Sequence, residues 1–244
     1  PGSYANTNAG AESTEDLRDF YSDSDFDDLR LSSKNHIDVP IKVDGKKVHI
    51  LASHPTPPVF DGDEKRNLKR NNDEIRFWAD YVSSDEERNS YIVDDNGVEG
   101  GLHKKGRKSF VIMGDQNADP VDGDSDPNSA FDLGGNPTNR GAINQLLGKR
   151  RVNTYVTPFS AGGVEAAYSS FDPLDNTSNP SRFNELGNPG EDTSLFGLRV
   201  DYVLPSRHQP IFSSGVFNPD SSDPENVFLP SGGFETDQAN GGFD

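Results

Sequence analysis

The apolar residues of this chain gather in short blocks, and long polar stretches separate the blocks. Apolar and polar positions alternate from Leu29 to Val43, and a second apolar run extends from Lys47 to Ser53. Asp44 and Gly45 stand between the two runs. Because Asp-Gly between apolar runs is a strong hairpin signal, we predict two paired strands, the second ending at His54.

An amphipathic helix is predicted within Asp63–Ser83. Its apolar positions recur at spacings of three and four residues: Ile75, Trp78, Ala79 and Val82. Side chains with that spacing share one face of a helix, so this face is expected to pack on the core.

The remaining elements are predicted from shorter signals. They are a polar insertion at 85–108, a buried strand at Phe110–Met113, a short helix at Thr138–Leu147, a loop at 157–194, and strands at Leu198–Leu204 and Ile211–Val216. Strands that alternate with helices and end in paired strands indicate an α/β (α+β) domain with a mostly buried sheet. We place this domain at 29–217, after an acidic polar lead-in at 1–28 and before a tail at 218–244 that is expected to be disordered.

Composition narrows the possible functions. The chain has 244 residues, of which 31% are hydrophobic, and its formal net charge is -18. Such an acidic surface repels polyanions, so nonspecific binding of nucleic acid is disfavoured unless cations bridge the two. There is no Cys, which excludes disulfides. No apolar run approaches the roughly 20 residues of a membrane-spanning helix.

Polar residues at the ends of three predicted strands are the candidates for chemistry. His54 precedes prolines that hold the chain open, so it is placed to face a cleft, although a lone His is more often structural. Asp115 and Asn117 follow the strand at Phe110–Met113, where a carboxylate can hold a divalent cation and an amide can donate to a phosphate oxygen; the alternative is an Asx-rich turn. Asp201 lies in an apolar strand and is expected to be buried, which would require a partner such as His or a metal.

Four longer segments carry a family resemblance. They are Leu31–Pro40, Ala52–Gly62, Asp73–Trp78 and Gly114–Pro120. In this order they resemble the endonuclease/exonuclease/phosphatase superfamily, and most closely its secreted or periplasmic bacterial members. The resemblance extends over about 29–217. It implies half of the four-layer α/β sandwich of the deoxyribonuclease-like fold, and an extracellular or periplasmic location.

The resemblance also implies an activity and a set of site residues. The activity is metal-dependent hydrolysis of a phosphoester, by in-line attack of water on phosphorus with Mg²⁺, Mn²⁺ or Ca²⁺. Asp115 would bind the metal or orient water, Asn117 would contact phosphate, His54 would donate to phosphoryl oxygens or act as an acid, and Asp201 would orient a catalytic His. Family members place substrate-side polar groups at the positions of Asn35, His36 and Asp38.

The chain departs from the family pattern at both ends. The family's early Asn and Glu, and its late Ser-Asp-His, are not found, and His208 comes too early to replace that His. The expectation is therefore a chain truncated at both ends, whose partner is the rest of its own polypeptide. By itself, this chain is expected to hydrolyse phosphoesters poorly or not at all. Two alternatives stay open: a non-catalytic, cation-stabilised binding or structural module of a larger exoprotein, and a nuclease. The acidic cluster Asp119, Asp122, Asp124 and Asp126 fits either a calcium loop or a plain acidic turn.

Overall fold

The structure is a computed structural model that describes residues 29–60, 66–102, 107–121, 141–169, 187–194 and 197–224. The described residues form two compact units. One lies within Pro1–Thr154 and Asp201–Pro210, and the other within Tyr155–Val200 and Ile211–Asp244. The predicted lead-in at 1–28 and residues 225–244 of the predicted tail lie outside the described residues.

A four-stranded mixed sheet is the centre of the first unit. Its strands are β1 (His36–Val43), β2 (Lys46–Ser53), β3 (Ser109–Asp115) and β4 (Asp201–Pro205), in the order β1-β2-β3-β4. β1 and β2 are antiparallel, β2 and β3 are parallel, and β3 and β4 are antiparallel. The predicted hairpin is confirmed: Asp44 and Gly45 both have positive φ, at 48° and 80°, as a type I′ turn requires.

Helix α1 (Arg66–Tyr81) connects the parallel strands β2 and β3. It confirms the helix predicted within Asp63–Ser83, and its apolar stripe covers one face of the sheet. The resulting core contains residues of α1, of the sheet and of the segment around 142–152: Leu51, Ile75, Trp78, Ala79, Val82, Leu102, Phe110, Ile112, Ala118, Ala142, Ile143, Leu146, Val152, Tyr202 and Leu204. The prediction of an α/β arrangement is therefore confirmed.

The opposite face of the sheet is also apolar, but its side chains are partly exposed. Strand residues alternate between faces, and the apolar residues that β1 places on this face, Ile37, Val39, Ile41 and Val43, are all exposed. Val203 of β4 is 64% exposed. Only one face of this sheet is therefore packed against α1.

Two short helices complete the first unit. Helix α2 (Glu86–Asn89) lies in the predicted polar insertion, where the side chain of Asp85 accepts from the Glu87 N–H and caps it. Helix α3 (Asn144–Leu147) falls within the helix predicted at Thr138–Leu147 but is only four residues long; positions 138–140 lie outside the described residues. None of the described helices is both long and apolar enough to cross a membrane.

The second unit corrects two predictions. The predicted loop at 157–194 contains helix α4 (Ala161–Ser169) and a 3-10 helix (Pro189–Glu191). The hydroxyl of Ser160 accepts from the Gly163 N–H at 3.1 Å and caps α4, a signal that the neighbouring glycines obscure. The strand predicted at Ile211–Val216 was wrong, because this segment pairs with no strand among the described residues and Phe212 is 94% exposed.

Candidate functional site

Three of the predicted site residues meet at one edge of the sheet. β2 and β3 are parallel, so their last residues lie at the same edge, and the antiparallel β4 begins there. Asp115 and Asp201 are direct partners across β3 and β4, and such partners project to the same face with Cβ atoms about 5 Å apart. His54 follows β2 directly. Residues distant in the sequence thus form one cluster.

The cluster is open to solvent. Nε2 of His54 lies 3.6 Å from Oδ2 of Asp115, and the two side chains are 48% and 32% exposed. That separation is longer than a direct hydrogen bond, but it is short enough for electrostatic attraction or a single bridging water. A ligand can therefore reach both groups.

Gly114 brings the end of β3 against the end of β2. Its φ is 132°, and a Cβ atom added there would lie 2.1 Å from the carbonyl oxygen of Ser53. A residue type with a side chain could not adopt this backbone conformation so close to the Ser53 carbonyl without strain. The glycine of the Gly114–Asn117 segment therefore sets the position of Asp115 beside His54.

Asn117 links Asp115 to the segment that carries His54. Its φ is 50°, its backbone N–H donates to Oδ1 of Asp115 at 2.7 Å, and its Nδ2 donates to the Pro55 carbonyl at 3.1 Å. The local conformation is an Asx turn, the alternative that the sequence also allows. Asn117 thus lies beyond the strand end, and one N–H of its side chain holds the chain next to His54.

Two residues of α1 that the sequence analysis does not predict as site residues hold the backbone around the site. Nδ2 of Asn71 donates to the carbonyls of Thr56 and Gln116, each at 2.9 Å. The fully buried carboxyl group of Glu74 accepts from the Ser33 N–H at 2.6 Å and from the Thr56 N–H. In the sequence, Asn71 and Glu74 are recognisable only as polar residues on the apolar face of a predicted helix. Their hydrogen-bond partners lie too far along the chain to be inferred.

A second buried contact joins the ends of β2 and β3. Nε2 of Gln116 donates to the hydroxyl of Ser53 at 3.2 Å, and the indole N–H of Trp78 donates to the same hydroxyl at 2.8 Å. Gln116 and Trp78 are almost fully buried. This contact fixes the ends of β2 and β3, because Ser53 directly precedes His54 and Gln116 directly follows Asp115.

His36 lies on the other face of the sheet, under α1. Its Nε2–H donates to the Glu74 carbonyl at 2.9 Å, and its ring packs against Phe77 at a centroid distance of 4.9 Å. Burial lowers the pKa of His36, which the contact with Glu74 offsets only in part.

Asp38 lies on the same face as His36. It contacts Nδ1 of His49 at 2.7 Å and the hydroxyl of Tyr81 at 2.6 Å. Burial, followed by the contact with Asp38, raises the pKa of Tyr81. Asn35 is exposed and precedes β1. The expected substrate-side set is therefore split, and His36 and Asp38 do not join the His54 cluster.

The expectation of a buried Asp201 was wrong. Asp201 is the first residue of β4 and is exposed, whereas the following residue, Tyr202, is buried and donates to the Ala118 carbonyl at 2.9 Å. Alternation along a strand places neighbours on opposite faces, so the apolar sequence around Asp201 reflects the face that Tyr202 shares with the core.

The acid pair Asp115 and Asp201 suits a hard cation. Mg²⁺ commonly uses one or two carboxylates and keeps several waters. Within the described ranges, no group of three or more His, Asp and Glu side chains is arranged to hold a metal, so the pair would be the whole protein contribution from these residues. Asp119 instead accepts from the Val121 N–H at 2.7 Å. Asp122, Asp124 and Asp126 lie outside the described residues.

No protein-family model matches this chain, and no curated protein matches it significantly.

Proposed function

We propose that the chain is a metal-dependent phosphoester hydrolase, a phosphatase or phosphodiesterase, that reacts at the edge formed by His54, Asp115 and Asp201. The observation that carries the proposal is their convergence on one solvent-open edge, with His54 and Asp115 3.6 Å apart. The four segments that resemble the endonuclease/exonuclease/phosphatase superfamily support it independently. With it we propose that the four-stranded sheet and α1 belong to one half of a deoxyribonuclease-like sandwich.

Each side chain has a role that its environment permits. Asp115 and Asp201 would supply the oxygen ligands for Mg²⁺, Mn²⁺ or Ca²⁺, and the bound cation would neutralise charge on the phosphoryl oxygens. The imidazole of His54 donates to a phosphoryl oxygen or protonates the leaving group. Asn117 positions His54 through Pro55 and keeps a second amide N–H for a phosphate oxygen.

The experiment combines turnover with metal binding, for the chain alone and for the chain joined to the rest of its own polypeptide. Hydrolysis of p-nitrophenyl phosphate, bis(p-nitrophenyl) phosphate and plasmid DNA is measured with Mg²⁺, Mn²⁺ or Ca²⁺, and Mn²⁺ binding is measured by electron paramagnetic resonance. Asp115→Asn and Asp201→Asn keep the side-chain size but remove a ligand charge. Asp95→Asn is the matched control, because Asp95 is an exposed residue in the loop between α2 and β3.

The two site variants are expected to lower kcat/KM by about 10²-fold or more and to weaken Mn²⁺ binding, with the control unchanged. Activity that survives Asp115→Asn contradicts the site. Mn²⁺ binding without turnover of any substrate favours the non-catalytic module. Cleavage of plasmid DNA without hydrolysis of the small esters favours the nuclease.

A further inference from the structure

A cavity of about 630 Å³ lies in the first unit, at the sheet edge opposite the candidate site. It opens where β3 begins, at Ser109, whereas Asp115 ends that strand. At about 3.3 Å per residue, the ends of a strand of this length are about 20 Å apart. The cavity is therefore separate from the His54 cluster.

The cavity is lined by a concentration of positive charge. Six of the 23 Lys and Arg residues of this chain line it: Arg107, Lys108, Lys149, Arg150, Arg151 and Arg207. His208 lies beside them, and the described lining residues include no Asp or Glu. In a chain of net charge -18, the charge of this cluster is opposite in sign to the average charge of the surface.

The backbone around these cations is held in place. The Arg207 N–H donates to the Arg151 carbonyl at 2.7 Å, and the Ser206 N–H donates to the Phe110 carbonyl at 2.8 Å. Val152 and Ser206 form an isolated bridge. The segments around 151 and 207 are thus joined, and the backbone that carries Arg151 and Arg207 is fixed at the wall of the cavity.

The cations repel each other in this arrangement. Burial first, and then the charge of Arg107, lowers the pKa of both Arg151 and His208. No carboxyl group of the described residues forms an ion pair with Arg107, Arg150 or Arg151. An anion in the cavity would relieve this repulsion.

Lys149 has acidic neighbours at the rim. Burial and the charge of Arg88 lower its pKa, whereas the charges of Asp80 and Asp85 act in the opposite direction. Arg88 itself lies 3.8 Å from each of these two acids. Asp80 and Asp85 are thus already shared with Arg88, and they do not neutralise the arginines on the cavity wall.

The chemistry of the wall indicates the kind of anion. Guanidinium groups bind phosphate oxygens in a bidentate manner, and the hydroxyls of Ser83, Ser84 and Ser206 are further donors. Phe110 is the single Phe, Tyr or Trp among the described lining residues. It is 1% exposed, so it offers no surface for stacking a base. The volume is that of a pocket for a small molecule.

We infer that this cavity binds a small anion that carries two or more phosphoryl groups, recognised through those groups. This inference does not depend on the proposed hydrolase, since none of its residues belongs to the His54 cluster.

The test is calorimetric titration of the full chain with tripolyphosphate, without divalent metal and at low salt. Arg107→Gln and Arg150→Gln are the variants, because both side chains are exposed and their loss leaves the core intact. Lys34→Gln is the matched control, since Lys34 is an exposed cation just before β1, at the other edge of the sheet. Orthophosphate and a short DNA duplex are the comparison ligands, and circular dichroism verifies the fold of each variant.

Tripolyphosphate is expected to bind, each arginine variant to bind about tenfold more weakly, and the control to bind like the unmodified chain. The imidazole proton signals of His208 should shift on addition of tripolyphosphate. Absence of binding at millimolar tripolyphosphate overturns the inference. So do equal affinity for orthophosphate, unchanged affinity in both arginine variants, and binding of the duplex alone.

Discussion

Gly114→Ala tests the close approach of β3 to the end of β2. Two effects add at this position. At a φ of 132°, any side chain strains the backbone by about 1–3 kcal/mol. The new methyl group would also lie 2.1 Å from the Ser53 carbonyl oxygen, and such overpacking costs about 1–3 kcal/mol. We expect the free energy of unfolding to fall by about 4 kcal/mol in total.

Gly45→Ala separates the two effects. Gly45 also has a positive φ, of 80°, but nothing lies within 4 Å of a Cβ atom there, so only backbone strain of about 1–2 kcal/mol is expected. Urea unfolding is followed by the fluorescence of Trp78, the sole tryptophan, which is 1% exposed. A difference of less than about 1 kcal/mol between the two variants would refute the close approach of β3 to Ser53.

Two further predictions concern buried polar groups. The pKa of His36 is lowered by burial, so the unfolded chain takes up a proton that the folded chain resists; stability should be full above the ordinary pKa of about 6.5 and fall as the pH drops below it. His36→Gln should make the decrease of the unfolding free energy with falling pH shallower, as measured by urea titrations at several pH values below about 6.5. An unchanged decrease would contradict the assignment to His36. Glu74→Ala leaves the Ser33 and Thr56 N–H groups without their acceptor, which should cost about 3–5 kcal/mol; Glu74→Gln keeps one acceptor oxygen and should cost about half, so equal unfolding midpoints for the two variants would contradict this account.

Local signals predicted the elements that form this sheet and its helix. The hairpin is determined by two adjacent residues, Asp44 and Gly45. Helix α1 is determined by an apolar stripe that includes Ile75 and Trp78 and lies within a single segment. The segment Ile211–Val216 has a similar apolar pattern but no partner strand among the described residues, and no local signal reports the absence of a partner.

Contacts between distant segments explain the remaining differences. Asp201 was expected to be buried, because its apolar neighbours do not reveal which face of the strand each residue takes. The contacts of Glu74 with Ser33 and Thr56 depend on how α1 crosses the sheet. The cationic cavity is not predictable from the sequence for the same reason, since its residues come from segments that meet only in the folded chain.

The central claim is that His54 and Asp115 act together on a phosphoester, and a double-mutant cycle tests it most directly. kcat/KM for bis(p-nitrophenyl) phosphate with Mg²⁺ is measured for the unmodified chain, His54→Gln, Asp115→Asn and the double variant. Residues that act as a unit give non-additive losses, so the double variant should lose no more than a few-fold beyond the worse single variant. Losses that multiply, or activity that neither substitution reduces, would contradict the claim.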